Sequence, residues 1–334
     1  MTASLKNPIY TAYIVSGSTK YNISPVVTKY DFSDQKKQMA QALTIELVNV
    51  KVGGTRLSKL LDVRDRVYVY ADDGERSEEV YRGYIWTLNA KDQLSGNELT
   101  LKCYDNLIYF QESDESEYFS SGKSTKAICT ALCDKWGVKL NYTYSSITHS
   151  KMPLRGKLSD IILSDILEPV RKQTGEKSVV RSEKDVANIL PVGSNTRIYT
   201  IKVKGNAEGL AEERTMDGVV TKVVILGKAD KDDRQKVEAT VTGKTSEYGT
   251  LQKIESLGSN TSLEDAKKEA QTTIDENGEP KSEYAAKAPD IPWIRKGDKV
   301  KVEGIDWNKH FIVVDIDREI SKDAKTMTLT LEDV

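Results

Sequence analysis

Arg64-Asp65-Arg66-Val67-Tyr68-Val69 is answered late in the chain by Gly297-Asp298-Lys299-Val300-Lys301-Val302. Working outward, Asn97-Glu98-Leu99-Thr100-Leu101-Lys102-Cys103-Tyr104-Asp105 is echoed by Lys325-Thr326-Met327-Thr328-Leu329-Thr330-Leu331-Glu332-Asp333. Upstream, Val26-Val27-Thr28-Lys29 matches Val219-Val220-Thr221-Lys222. The offsets are 193 positions at Val26, 233 at Asp65 and 228 at Leu101. They imply a 40-residue insertion in the second copy and a loss of five residues at Gly304-Ile305-Asp306, where the first copy has Asp72-Asp73-Gly74. That register aligns Tyr84, Trp86 and Leu88 with Ile312, Val314 and Ile316 and keeps the inward alternation of a strand. An internal repeat decides architecture before any motif does. Two similar small β-domains are expected.

The first segment reads as β throughout. Tyr10 to Val15 is aromatic and β-branched, Ser16-Gly17-Ser18 turns, and Tyr21 to Ile23 follows. Leu43, Ile45 and Leu47 alternate with polar neighbours, as do Val67 and Val69, then Leu99, Leu101 and Cys103. Period two marks strands with one buried face. Asp72-Asp73-Gly74 and Ser95-Gly96-Asn97 supply hairpin turns. Several short strands at this spacing point to a small antiparallel barrel or sandwich, and residues 1–110 are read as the first barrel domain.

A mixed α/β domain is expected over residues 111–214. Ser121-Gly122-Lys123-Ser124-Thr125 opens a helix running to about Trp136, capped by Ser124 and stopped at Gly137. Ile128, Leu132 and Trp136 form its apolar stripe. A second helix spans about Ser159 to Thr174 with Ile162, Ile166 and Val170 on one face, and Pro169 inside it predicts a kink. Strands follow near Val179-Val180 and from Ile198 to Val203. Residues 215–334 are read as the second barrel, in which Val237, Ala239 and Val241 repeat the Leu43 alternation. It carries a helical insertion over about 246–290, whose helix Ser262 caps and which runs through Ile274. The fold class is α+β, mainly β.

Bulk numbers narrow the function. A chain of 334 residues exceeds one ordinary core, so two or three domains are expected. A net charge of −2 predicts no general attraction to nucleic acid or anionic membrane. No stretch approaches the ~20 apolar residues of a membrane span, and the start, Met1-Thr2-Ala3-Ser4-Leu5, lacks the apolar run of a signal peptide. Synthesis in the cytosol is expected. Three cysteines, Cys103, Cys129 and Cys133, argue for a reducing compartment and core positions. A metal site at Cys129 and Cys133 would need two more ligands, and only His149 and His310 are available.

Nor do the residues spell out catalysis. His149 lies in a polar loop, but no Gly-x-Ser-x-Gly elbow exists to present a serine to it. His310 aligns with Arg82 and reads as a surface position. The Gly-Lys-Ser at 122–124 resembles the end of a phosphate loop, yet no glycine stands five residues before Gly122, where that loop needs one, and the preceding segment is acidic. Asp230-Lys231-Asp232-Asp233 lacks the glycine and distal glutamate of a calcium loop. No catalytic, cofactor-binding or metal-ligating residue is assigned, no cofactor is expected, and the chain is read as no enzyme.

The order barrel, α/β middle, barrel resembles the baseplate hub proteins of contractile-tailed bacteriophages. The form is that of the PBSX-type defective prophage and of phage-tail-like bacteriocins, related to the late control protein D family. The stretches that carry the likeness are Tyr104-Asp105-Asn106-Leu107, Met216-Asp217-Gly218-Val219-Val220-Thr221-Lys222-Val223, Tyr248-Gly249-Thr250-Leu251-Gln252 and Trp293 to Val300. The resemblance implies a homotrimer whose six barrels form a pseudo-sixfold ring. That ring would join the hexameric tail tube to a trimeric central spike and touch other baseplate proteins. It also implies a place in a tail or tail-like particle, assembled in the bacterial cytoplasm and released by lysis. An assembly interface is expected on the barrel faces away from the middle domain. The competing reading is a tail-associated protein that cuts peptidoglycan or binds glycans.

Overall fold

The computed structural model describes residues 7–93, 96–202, 207–229, 232–258, 262–304 and 307–334. Residues 1–6, Ser95, Val203, residues 230–231 and residues 305–306, which carried expectations above, lie outside the described residues.

The early strands follow the sequence alternation. They are β1 (Ile9–Ser16), β2 (Thr19–Asn22), β3 (Val27–Asp34), β4 (Ala42–Val48), the short hairpin of β5 (Lys51–Val52) and β6 (Thr55–Arg56), and the meander β7 (Arg66–Asp72), β8 (Ser77–Gln93) and β9 (Gly96–Tyr104). Leu43, Ile45, Leu47, Val67, Val69, Leu99 and Leu101 are all buried in one core. Each such side chain stabilises the fold by about 1.5–3 kcal/mol. At the β7–β8 turn, Asp72 accepts the Gly74 amide at 2.7 Å and Asp73 accepts the Glu75 and Arg76 amides at 2.9 and 2.8 Å. Local side-chain acceptors of this kind fix the turn.

The middle region holds α1 (Ile108–Glu112), β10 (Asp114–Phe119), α2 (Thr125–Lys135), β11 (Lys139–Tyr142), β12 (Met152–Lys157) and α3 (Leu158–Asp160), then a π-helical stretch over Ile161–Leu167, α4 (Glu168–Thr174), β13 (Ser178–Glu183) and β14 (Val186–Pro191). Ser124 caps α2 by accepting the Ala127 amide at 3.2 Å. Ile128, Leu132, Ile162, Ile166 and Val170 meet in its core. The expected kink at Pro169 takes the form of wide π turns just ahead of it. Proline has no amide to donate and its ring crowds the carbonyl one turn back, so loosening that turn relieves both problems. Gly175 ends the helix at φ +73°.

The late strands are β15 (Tyr199–Lys202) and β16 (Gly209–Thr215). Then come β17 (Lys222–Ala229), β18 (Gln235–Thr242), α5 (Thr245–Tyr248), β19 (Gln252–Ser256) and α6 (Leu263–Asn277), and finally β20 (Lys281–Pro289), β21 (Lys299–Glu303), β22 (Asn308–Ser321) and β23 (Lys325–Asp333). The chain divides into two compact units, Met1–Ala211 with Ala285–Val334, and Glu212–Tyr284. The second unit is a three-stranded sheet, β18-β17-β19, with α6 packed on it. Its core is small: Val223, Ile225, Ala266, Ala270 and Ile274. Ser262 caps α6 by accepting the Asp265 amide at 3.1 Å.

This corrects part of the expected repeat. Val219–Lys222 leads into β17, and Val237, Ala239 and Val241 lie on β18, all within the second unit rather than in a copy of β3 and β4. The excursion therefore starts near residue 212, earlier than the 246 read from sequence. The strand near Ile198 to Val203 also changes place: β15 pairs in parallel with β21, outside the middle region's three-stranded sheet. Valine-threonine alternation suits any half-buried strand and does not say which sheet the strand joins.

Within the 13-stranded sheet the path runs β16-β20-β23-β22-β3-β4-β9-β8-β7-β1-β2. A block of four strands appears twice, head to tail. β16-β20-β23-β22 has the same order as β3-β4-β9-β8. β21 joins β22 as β7 joins β8. The copies differ at the next strand, since β1 pairs with β7 antiparallel and β15 pairs with β21 in parallel.

Candidate assembly surface

The two copies match down to single hydrogen bonds. In the first, the Arg64 amide donates to the Ile85 carbonyl at 2.7 Å, and the Ile85 amide donates to the Asp65 carbonyl at 2.9 Å. In the second, Gly297 donates to Val313 at 2.8 Å and Val313 to Asp298 at 2.8 Å. The Asp65 carboxylate accepts the Asp62 amide at 2.8 Å, and that of Asp298 accepts the Arg295 amide at 2.9 Å. The long strands carry the same irregularity: β8 breaks register between Ile85 and Thr87, and β22 between Val313 and Asp315. Trp86 and Val314 are thus the extra residues of equivalent β-bulges, which bend and twist a strand at a fixed place.

The copies meet in an antiparallel junction of β22 with β3, in which Ile316 faces Asp34, Arg318 faces Phe32 and Ile320 faces Tyr30. Ile320 enters the core of the first copy. Behind the junction lies a buried ionic cluster. Lys296 Nζ stands 2.9 Å from Asp34 and donates to the carbonyls of Gln35 and Gln38 at 3.0 and 2.7 Å, using all three donors. Burial pushes the Asp34 carboxyl up, but Lys296 and Arg295 outweigh it and hold the group below its ordinary value. Arg318 binds Asp290 at 2.9 Å, and Asp290 also accepts the Tyr10 hydroxyl. In ion pairs as dry as these the cost of desolvation offsets much of the attraction, while removing one partner leaves a buried charge uncompensated.

The β13–β14 hairpin ties both copies to the middle region. At its tip Asp185 pairs with Arg66 and, at 3.3 Å, with Arg82 of the first copy. Arg181 pairs with Asp298 of the second at 2.7 Å. Asn106 donates to the Asp185 carbonyl at 2.9 Å. Next to it, Asp105 is buried and accepts the amides of Gln41 and Leu107 at 3.0 and 2.9 Å, and burial pushes its carboxyl up to about 7.

Residues considered for chemistry sit in structural places. His149 is buried with Nε2 2.9 Å from the Thr125 hydroxyl, and burial lowers its pKa. Gly122 and Lys123 bond through their backbones to His149, closing the loop that Ser124 caps. His310 faces Lys301 across the β21–β22 ladder. Cys103, Cys129 and Cys133 are buried thiols with pKa values raised by burial. Among the described residues no group of three or more His, Cys, Asp or Glu side chains could hold a metal ion. No described helix is long and apolar enough to cross a membrane.

The ionic junction escaped the sequence reading. Its signal was present: Arg318 sits at the inward phase between Ile316 and Ile320, where an apolar residue is expected.

A family match covers residues 30–332, nearly all of the duplicated sheet, and its description is YQBQ-like. The chain belongs to the YQBQ-like family. No curated protein matches the sequence of this YQBQ-like chain. Among solved structures it is similar to the 43 kDa tail protein of prophage MuSo2 from Shewanella oneidensis (TM-score 0.72, 14% identity, covering 97% of this chain and 98% of that one). It is also similar to a tail protein from Neisseria meningitidis MC58 (TM-score 0.69, 13% identity, 97% and 96% covered). A third likeness is to the E. coli c3393 protein, a type VI secretion component described as resembling phage T4 tail proteins gp27 and gp5 (TM-score 0.57, 9% identity, 92% and 74% covered). The YQBQ-like chain therefore has the fold of phage tail proteins, α+β and mainly β, over its whole length.

Proposed function

We propose that the chain is the structural hub of a contractile phage tail or tail-like particle. Three copies form a ring of six near-equivalent modules that joins the hexameric tail tube to a trimeric central spike. The observation that carries this reading is the four-strand block repeated head to tail within one sheet. A heterologous junction between successive modules closes into a ring when its repeated angle divides the circle evenly, and otherwise runs on as a filament. Two modules per chain let three chains offer six similar surfaces. The tail proteins that share the fold support the same role, with the tail or baseplate as its location and assembly in the bacterial cytoplasm before lysis. His149 and the three cysteines are held in structural places, which is in keeping with a structural role. The test is the mass of the purified full chain by light scattering at rising concentration, together with binding to purified tail tubes. A species of three chain masses that caps tube ends is expected. A persistent monomer that clears cell-wall suspensions would replace the hub with a peptidoglycan-active tail protein.

A further inference from the structure

We propose that the open edge of β8, from Thr87 to Lys91, is the docking site for strand β16 of a second copy of this chain. The site rests on the trimeric reading and says which edges make its ring.

The in-chain junction is the template. β22 uses the N-terminal part of one edge to hold β21 and the C-terminal part of that edge, Ile316–Ser321, to hold β3. β8 is built alike. Its N-terminal part holds β7 as far as Tyr84, and its C-terminal part pairs with β9 on the other edge. Among the described residues no strand covers the edge of β8 that corresponds to the β3-binding edge of β22. At the far end of the same path, β16 holds the place in its block that β3 holds in the other, and it too lacks an outer neighbour among the described residues. The sheet thus ends in one half of the junction at each extremity. Exposed strand edges of this kind are templates for pairing with another chain.

Burial tells the same story residue by residue. Trp86 is 38% exposed, whereas its counterpart Val314, two residues ahead of the covered junction, is 8% exposed. Leu88 is half-buried where Ile316 is buried, and Ala90 is exposed where Arg318 is buried. The edge of β8 therefore shows, uncovered, the positions that β22 hides. A second copy is favoured over an unrelated strand because this chain already makes the same contact with itself.

The test uses the full chain carrying Asn89→Cys together with, in turn, Leu210→Cys, Ala211→Cys, Glu212→Cys or Glu213→Cys. The three natural cysteines are buried and stay silent. Asp317 and Ser33 are partners in the in-chain junction, so Asp317→Cys with Ser33→Cys is the control and should close within a monomer. One of the four pairs is expected to give covalent dimers and trimers on mild oxidation, and single variants none. In the unmodified chain, amides 87–91 and 209–213 should exchange at least about tenfold more slowly in the oligomer than in dilute monomer. A trimer by light scattering with no cross-link and no added protection overturns the docking site and leaves the hub standing. A chain that stays monomeric at every concentration overturns the trimer, and the docking site with it.

Discussion

Arg64 and Gly297 occupy the same turn in the two copies and share a left-handed backbone, with φ of +68° and +86°. Their surroundings differ. A Cβ on Gly297 would lie 2.6–2.8 Å from the Val179 side chain, a separation that cannot be tolerated. Arg64 bears the strain of a side chain at positive φ, on the order of 1 kcal/mol. Arg64→Gly should therefore raise stability by about 0.5 kcal/mol, since glycine's extra unfolded-state freedom cancels part of the gain. Gly297→Ala should lower it by about 2–4 kcal/mol through strain plus overpacking. Urea unfolding compares them. Equal effects at the two sites would mean that Val179 yields freely.

Lys296→Met should destabilise by about 3–5 kcal/mol, because Asp34 then remains buried without its main counter-charge. Adding Asp34→Leu should recover most of that loss, and the cycle of single and double variants reads the coupling. The sign with pH follows from the depressed Asp34 carboxyl. Its contribution is present above the ordinary carboxylate pKa near 4 and is lost as pH falls through the lower folded value. Loss of stability in the double variant as large as in Lys296→Met would refute the pairing.

Asp105 predicts the opposite slope. Its folded carboxyl, pushed up to about 7 by burial, keeps a proton that the unfolded chain releases near pH 4. Between those values the folded state binds more protons, so stability falls as pH rises from about 4 to 7, by at most about 4 kcal/mol. Denaturation midpoints at pH 5 and pH 8 should differ in that direction, and Asp105→Asn should flatten the difference. A midpoint that climbs with pH only in the wild type would contradict this.

The second unit depends on very few side chains. Ile274→Ala removes the largest side chain that α6 contributes to a core of five buried residues and should cost about 2–4 kcal/mol within that unit. Limited proteolysis is expected to cut the variant between Glu212 and Tyr284 while the duplicated sheet keeps its melting transition. Simultaneous loss of both would show that the units fold as one.

The turns and long hairpins were legible because they impose spacing. An aspartate after a residue at positive φ, a bulge and two inward apolar faces leave marks that survive changes of residue, as between Arg64-Asp65 and Gly297-Asp298. β16 and β20 left no such mark. β16 reads Gly209-Leu210-Ala211-Glu212-Glu213-Arg214-Thr215, largely exposed, and β20 buries only Tyr284, Ala286 and Ala288 on its inward face. Small and charged residues give weak periodicity, and the stronger valine pattern of β17 and β18 masks it. The buried cluster at Asp34, Lys296, Asp290 and Arg318 needs contacts across up to 280 residues of sequence, as between Tyr10 and Asp290, and local patterns cannot report those. Tyr104-Asp105-Asn106-Leu107 was legible as a motif, but its task of locking Gln41 and Asp185 appears only in three dimensions.

The β22–β3 junction has a consequence for assembly by mass action. It forms between parts of one polypeptide, so its completion does not depend on how many other chains are nearby. In the proposed ring of three chains, half of the six junctions would already be closed when synthesis and folding end. Were three chains to close such a ring, its amount at equilibrium would scale with the third power of free subunit concentration, where six separate modules would require the sixth.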